Sequence, residues 1–241
     1  MPGNKLALNC FSPPVMLATF IFEIISAIYI LFRYKRSMTA GLIVSILVCL
    51  AIFQLTEYML CGGFGLSGNL WSKIGYLAIT MLPPLGLHLA YSIAKKKSRR
   101  LVPLAYLSAA IFLIYFAFYT EVISGQTCYA NYVVFESRHD LLPPILYAVY
   151  YYGWLLVGAL VCLRLESQLK NKHLSAALIA LAIGYASFIL PTTVVNLVNP
   201  ATIAGIPSIM CGFAVILAAI LVAKVAPDSC QVDARTLSSR R

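Results

Sequence analysis

Seven apolar stretches of about 20 residues each dominate this chain, and few residues lie between them. At ~1.5 Å per helical residue, such a stretch crosses the ~30 Å hydrocarbon core of a bilayer, where a helix satisfies its own backbone N–H and C=O groups. The stretches run from Pro14 to Phe32, Thr39 to Leu60, Trp71 to Ala94, Leu101 to Val122, Leu142 to Leu163, Leu174 to Val198 and Ile203 to Val225. The sequence therefore predicts an all-α integral membrane protein, with a seven-helix transmembrane bundle over residues 1–227 and a short cytoplasmic tail over 228–241.

The composition excludes an ordinary water-soluble domain. Of the 241 residues, 61% are apolar and 11% are charged, whereas about a quarter of the residues in a soluble domain are charged. The 18 Lys and Arg and the 8 Asp and Glu are too few to cover a soluble core of this size. Because only residues 228–241 follow the last stretch, we expect no attached kinase, nuclease or other soluble catalytic domain.

Basic residues are concentrated in alternate loops, which predicts the orientation of the bundle. One set of loops holds the basic clusters at residues 33–36, 95–100, 164–172 and 235–241. The other set has only Lys5, Lys73 and Arg138. By the positive-inside rule, the N-terminus lies outside and the C-terminus lies in the cytoplasm, in the plasma (inner) membrane. The net charge of +10 then reflects topology, so we expect membrane lipids and not nucleic acid as partners.

Two outward-facing cysteines suggest a bridge over the bundle. Cys61 ends the second span, and Cys128 lies in the longest outer loop, Ile123 to Asp140. A Cys61–Cys128 disulfide would hold that loop against the bundle; the alternative is two small apolar fillers near the membrane interface. The chain has no CxxC and no Cys/His spacing typical of metal ligands, so we expect no metal site and no cofactor.

One carboxyl falls near the middle of a span. Glu23 lies halfway along the first span, with no basic residue within four positions. A charge at this depth costs at least ~2.5 kcal/mol, so Glu23 is expected to be neutral and to face the bundle interior. We predict that it faces a cavity bounded by spans two, three, six and seven, as a proton-coupled or ligand-contacting group. The alternative is a neutral acid hydrogen-bonded to a neighbouring helix.

Other polar residues converge in the outer half of the bundle once the direction of each span is considered. A cavity that opens outward needs a few polar groups in an apolar wall, and this group predicts one. The alternative is that the tyrosines form an interface belt and that Glu57 and Asn196 only reach headgroups. The predicted ligand-binding residues are Glu23, Gln54, Glu57, Tyr151, Thr192, Asn196 and Ser208.

Prolines predict broken helices. Pro83 and Pro84 fall in the middle of span three, where each removes a backbone hydrogen bond and clashes with the preceding turn. Pro191 and Pro207 are expected to act in the same way in spans six and seven. His88 follows the double proline and is a candidate proton relay; the alternative is a neutral hydrogen-bonding residue.

The run from Trp71 to Pro84, the segment from Gly184 to Pro191 and the triplet Ile206-Pro207-Ser208 resemble spans of a known sensor region. This is the seven-helix region at the N-terminus of some bacterial histidine kinases, and the similarity covers spans two, three, six and seven. The resemblance implies a membrane sensor that has an outside N-terminus, binds an unidentified ligand and signals inward. Because no dimerisation helix or kinase follows, the chain would signal through a separate cytoplasmic or membrane partner.

The sequence therefore favours a multi-pass sensor or binding module for a small molecule or lipid that enters from the outer side. The alternatives are a membrane-embedded enzyme that uses Glu23, Glu57 or His88 as acid or base, and a small transporter. No catalytic residue is assigned, and the sequence leaves the ligand and the oligomeric state open.

Overall fold

The protein is an α-helical bundle with one small β-hairpin, as seen in a computed structural model that describes residues 13–62, 65–118, 123–128, 133–137, 142–199 and 206–230. The helices are α1 (Pro13–Arg33), α2 (Met38–Gly62), α3 (Gly68–Thr80), α4 (Leu82–Ile93), α5 (Leu101–Phe118), α6 (Leu142–Glu166), α7 (Lys172–Val198) and α8 (Ile206–Ile220). A π-helical turn, Leu221–Val225, continues α8, and the last span reaches Cys230. The remainder of the predicted tail lies outside the described residues.

Seven helical segments within the described ranges are long and apolar enough to cross a membrane, which confirms the predicted fold class. The third of these spans consists of two helices, α3 and α4. The chain is therefore a multi-pass, seven-span membrane protein, in which consecutive spans run in opposite directions because short loops join them.

The hairpin lies within the loop between the fourth and fifth spans. Its strands β1 (Ile123–Cys128) and β2 (Val133–Ser137) pair antiparallel, with an irregularity between Ile123 and Gly125. Strand β1 packs against α3 and α2. We call this side of the bundle the hairpin end and the opposite side, which carries the basic loops, the basic end. The sequence predicted only a long loop here.

Helix α4 lies at the centre of the bundle and contacts α2, α3, α5, α6 and α7. Helix α1 packs on α2 and α8, and α5 packs on α3, α4 and α6. Both α1 and α5 leave most of their side chains on the outer surface, whereas α2 and the third span are mainly buried. The buried core therefore lies between α2, α4, α6, α7 and α8.

The double proline breaks the third span, as predicted. Pro83 and Pro84 have no N–H, so they cannot donate to the carbonyls one turn earlier, and α3 ends at Thr80 before α4 begins at Leu82. The N–H of Met81 instead donates to the carbonyl of Ala78 over 3.2 Å. The other two prolines differ from the prediction. Helix α7 continues through Pro191, and Pro207 lies in the first turn of α8, where its missing N–H breaks no helical bond.

Candidate ligand-binding site

Four of the predicted ligand residues are buried near the hairpin end. Gln54 and Glu57 lie in the last turns of α2, Thr192 lies in the last turns of α7, and Ser208 lies in the first turn of α8. These helix termini share one end of the bundle because α2 and α7 run toward it and α8 runs away from it. We refer to these four residues as the hairpin-end polar group.

Glu57 is the most strongly constrained member of this group. Its side chain is only 1% exposed, and the hydroxyl of Ser208 on α8 lies beside its carboxyl. Within the part of the chain that the structure describes, neither carboxyl oxygen has a hydrogen bond of normal geometry. Burial of a polar group without a partner is costly, so Glu57 has unused hydrogen-bonding capacity inside the bundle.

A neighbouring helix contributes a second buried polar group with unused hydrogen-bonding capacity. The hydroxyl of Ser72, on α3, is buried and has no hydrogen-bond partner among the described residues. One turn further along α3, Gly75 packs against Phe53 and Thr56 of α2. The sequence prediction omitted Ser72, although its place near the start of a span that follows the hairpin end gave the same depth signal as Ser208.

Thr192 and Asn196 have different surroundings although both lie on α7. The hydroxyl of Thr192 donates to the carbonyl of Phe188 over 2.7 Å, so its proton is used within its own helix. Thr192 can therefore only accept a further hydrogen bond inside the bundle. Asn196, by contrast, lies one turn closer to the hairpin end and is half-buried.

Glu23 is buried at a different level. It lies at the centre of α1, ten residues from each end, and is 0% exposed. Neither of its carboxyl oxygens has a hydrogen-bond partner among the described residues. It lies on the buried stripe of α1 with Met16, Ala27 and Ile30, and α1 packs against α2 and α8. By contrast, Glu57 lies only about 8 Å from the end of α2.

An internal cavity lies deeper in the bundle, between α2, α4, α6, α7 and α8. Its volume is about 20 Å³, which is room for one water molecule. Among the described residues that line it, Tyr151 is the one that the sequence predicted as a ligand contact. The wall is formed by Ile46, Leu50, Leu82, Gly86, Tyr151, Leu155, Leu181, Tyr185, Phe188, Met210, Ala214 and Leu217.

This cavity lies directly below the hairpin-end polar group. Leu50 and Phe188 line it and precede Gln54 and Thr192 by four residues, which is one helical turn of about 5.4 Å. The lining does not include Glu23, and the cavity is bounded by spans two, three, five, six and seven. The predicted contact of Glu23 with a cavity therefore stays a prediction.

Two tyrosines of α6 contact Thr80 through their hydroxyls at the break in the third span. The hydroxyl of Tyr150 donates to the carbonyl of Thr80 over 2.6 Å, which is the carbonyl that Pro84 leaves without a helical donor. The hydroxyls of Tyr147 and Thr80 are 3.1 Å apart, and Thr80 also bonds to the carbonyl of Tyr76 over 2.6 Å. The sequence prediction missed this role, which a search for donors to the proline-freed carbonyls would have suggested.

His88 faces away from the cavity. Its Nδ1 lies 3.2 Å from the hydroxyl of Tyr106 on α5, and the two rings pack edge to face. The cavity lining does not include it. The candidate proton relay therefore lies on the α5 side of α4, whereas the two candidate carboxyls lie on α1 and α2 at different depths. The relay role of His88 stays a prediction.

Cys49, Cys162 and Cys230 are described cysteines that form no disulfide bond. Cys61 is not one of this group. Cys128 is among the cysteines whose side chains are not described, so the Cys61–Cys128 pair stays a prediction. Within the described residues, no group of three or more His, Cys, Asp and Glu side chains has the arrangement of a metal site.

No family model matches this chain, and no curated protein matches it in sequence. The resemblance to the sensor region of histidine kinases therefore stays a prediction. What the fold defines is a class: a seven-span helical membrane protein with polar groups buried at one end of the bundle.

Proposed function

We propose that the protein is a membrane-embedded binding module that takes up a small molecule or lipid from the hairpin end. In this proposal the hairpin end is the outer side, and the bundle transmits binding inward to a separate signalling partner, as the resemblance to sensor regions implies. The observation that carries the proposal is the carboxyl of Glu57, which is buried beside Ser208 with no hydrogen bond of normal geometry in the described structure.

The energetics support a ligand that supplies hydrogen bonds. An unpaired buried polar group costs about 1–3 kcal/mol, and more when it is charged. A hydroxyl or amide that enters from the membrane interface would satisfy Glu57 and recover that cost. Ser72 lies on the adjacent helix with an unpartnered hydroxyl of its own, so a ligand with two polar atoms fits this end of the bundle better than a purely apolar one.

Binding fits the arrangement better than acid–base catalysis does. Catalysis needs an acid and a base within hydrogen-bond reach of one reacting group. Glu23 lies at mid-depth on α1, Glu57 lies near the end of α2, and His88 faces Tyr106 on α5. No described pair of these three side chains forms a hydrogen bond or an ion pair with the other.

A thermal-shift experiment on purified protein tests the proposal. A total lipid extract should raise the unfolding temperature of the parent protein. Glu57→Leu should remove this increase, because leucine offers a ligand no hydrogen-bonding group. Ser45→Ala is the control variant and should keep the full increase, since the hydrogen bond described for the Ser45 hydroxyl goes to the carbonyl of Gly41 on its own helix.

The outcomes separate the three functional classes. An equal thermal shift in Glu57→Leu and in the parent would show that Glu57 is not part of a ligand-binding site. Chemical conversion of an extract component would identify an enzyme, and counterflow of a labelled compound in proteoliposomes would identify a transporter. Native mass spectrometry of the stabilised sample would then give the mass of the bound molecule.

The orientation is tested separately. The loop charges predict a cytoplasmic C-terminus for a protein of the plasma membrane. A reporter fused after Arg241 should therefore be active only in its cytoplasmic form. Activity of an exported reporter at that position would reverse the orientation and put the polar group on the inner side.

The proposed Cys61–Cys128 bridge would fix the hairpin against the ligand entrance. Digestion of purified protein without reductant should yield the two peptides linked to each other. Recovery of both cysteines as alkylated free thiols would reject the bridge.

A further inference from the structure

Tyr185 fills a slot between two glycines. It lies on α7 and is 3% exposed. A Cβ atom built on Gly86 of α4 would overlap the hydroxyl of Tyr185 and would lie 3.0 Å from its Cζ. A Cβ built on Gly158 of α6 would lie 3.3 Å from both atoms. Three helices therefore approach one another around this phenol ring, and the two glycines provide the space for it.

The hydroxyl at the tip of this ring has no hydrogen-bond partner among the described residues. A tyrosine hydroxyl that is removed from water or headgroups without a partner is costly, and buried tyrosines usually bond through this group. A phenylalanine would fill the same slot without this cost. The position of the hydroxyl therefore indicates a partner that is not a protein side chain.

The cavity described above lies beside this ring and beside Gly86, which the hydroxyl approaches. Tyr185 and Gly86 both line it, and nine of its other wall residues are aliphatic, aromatic or thioether side chains without a hydroxyl. Tyr151, from α6, is the second hydroxyl-bearing residue in the wall. A volume of about 20 Å³ admits one small polar group and excludes a ring.

We propose that this mid-bundle cavity binds a single oxygen-bearing group that accepts a hydrogen bond from the Tyr185 hydroxyl. The group is either a water molecule or a terminal oxygen of a small molecule, and both present the same acceptor chemistry. This inference is independent of the proposed signalling function, because the hydroxyl needs a partner whatever the bundle does.

Tyr185→Phe tests this hydrogen bond, because the direction of the change in unfolding temperature depends on whether the cavity holds an acceptor. With an acceptor in the cavity, the variant loses that bond, and its unfolding temperature should fall by about 2–4 °C for a chain of this size. Without an acceptor, the variant loses only an unpaired hydroxyl and should be at least as stable as the parent, which would overturn the proposal. Tyr91→Phe, at a half-buried ring near the basic end of α4, is the matched control and should change little.

The same variant distinguishes the two sources of the oxygen. The comparison is repeated on protein that has been stripped of lipids and shown by native mass spectrometry to carry no bound organic molecule. A decrease that persists in this sample assigns the acceptor to water. A decrease that occurs only in unstripped protein assigns it to a copurified molecule.

Gly86→Ala tests the slot itself. The added methyl group collides with the Tyr185 hydroxyl, so the variant should unfold at a lower temperature than the parent. In the Tyr185→Phe background the nearest ring atom is Cζ at 3.0 Å, and the decrease should be smaller. Gly153→Ala, with no atom within 4 Å of the new Cβ, is the control. An equal decrease in both backgrounds would show that the hydroxyl does not occupy this slot and would overturn the proposal.

Discussion

Helices α4 and α5 are consecutive in the chain and pack against each other, yet they have opposite roles. In α4, which has 12 residues, all but His88, Tyr91 and Ser92 are buried, and the helix contacts five others. In α5, by contrast, only Ala105, Ala109 and Phe116 are buried. The aliphatic residues of α5 lie mostly on the outer surface, where lipid covers them.

Hydropathy alone does not separate core from periphery in this bundle, because α2 is as apolar as α1 yet is buried over a much larger share of its length. Lipid tails are as apolar as leucine, so an outward-facing span and a central span can both be rich in large apolar residues. The features that mark α4 are those that permit close approach or require partners: the double proline at 83–84 and Gly86, whose missing Cβ admits Tyr185. Helix α5 contains neither a glycine nor a broken turn.

The largest effect should come from a matched pair of leucines. Leu87 in α4 is 0% exposed, and Leu107 in α5 is 62% exposed. Leu87→Ala leaves a cavity among packed helices and should cost about 2–5 kcal/mol. Leu107→Ala should change stability by less than about 0.5 kcal/mol, because lipid or detergent fills the space. Reversible unfolding in mixed micelles measures both.

An equal loss of stability in Leu87→Ala and in Leu107→Ala would contradict the central position of α4. A large cost at Leu107 alone would indicate that α5 is covered by a second copy or another protein in the membrane. Crosslinking of the purified protein would then identify that partner.

A smaller effect is expected at the hydrogen bonds that α6 makes to the break in the third span and to α5. Tyr150→Phe removes the donor to the Thr80 carbonyl at the proline break and should cost about 1–2 kcal/mol. Ser108→Ala removes the acceptor of the Trp154 Nε1–H at the α5 interface, a 2.9 Å bond between half-buried groups, and should cost less than half as much. Thermal unfolding of the two variants in the same detergent measures the difference.

The opposite order would mean that the break in the third span is satisfied without Tyr150. Hydrogen exchange at residues 78–85 provides an independent measurement. It should speed up in Tyr150→Phe and stay unchanged in Ser108→Ala, because only the first variant releases a carbonyl at the break.

The number of spans, their approximate ends and the broken third span could be predicted from the sequence. Bilayer thickness fixes the length of a span, and proline lacks its N–H in every context, so both signals are local. Which side of each span faces its neighbours is not a local property. The cavity wall, the Tyr185 slot and the bond from Tyr150 to Thr80 all depend on which helices pack together, and apolar residues on every side of a span hide that information. The hairpin was missed because its strands are short and lie in a polar loop.

The smallest effect is expected at α1, which resembles α5 in its exposure but carries a carboxyl on its buried stripe. Glu23 has no hydrogen-bond partner among the described residues and no ion-pair partner there. A neutral acid in this position differs from glutamine only in one polar group. Glu23→Gln should therefore stay within about 0.5 kcal/mol of the parent in unfolding experiments at neutral pH. Glu23→Leu provides the contrast, because it deletes both carboxyl oxygens and should be at least as stable as the parent.

A loss of more than about 1 kcal/mol in Glu23→Gln would instead show that the carboxyl is ionised or bonded in the native protein. If the loss also removed a pH-dependent activity, Glu23 would be a proton-coupled site, and α1 would belong with the functional core and not with the lipid-facing periphery that α5 represents.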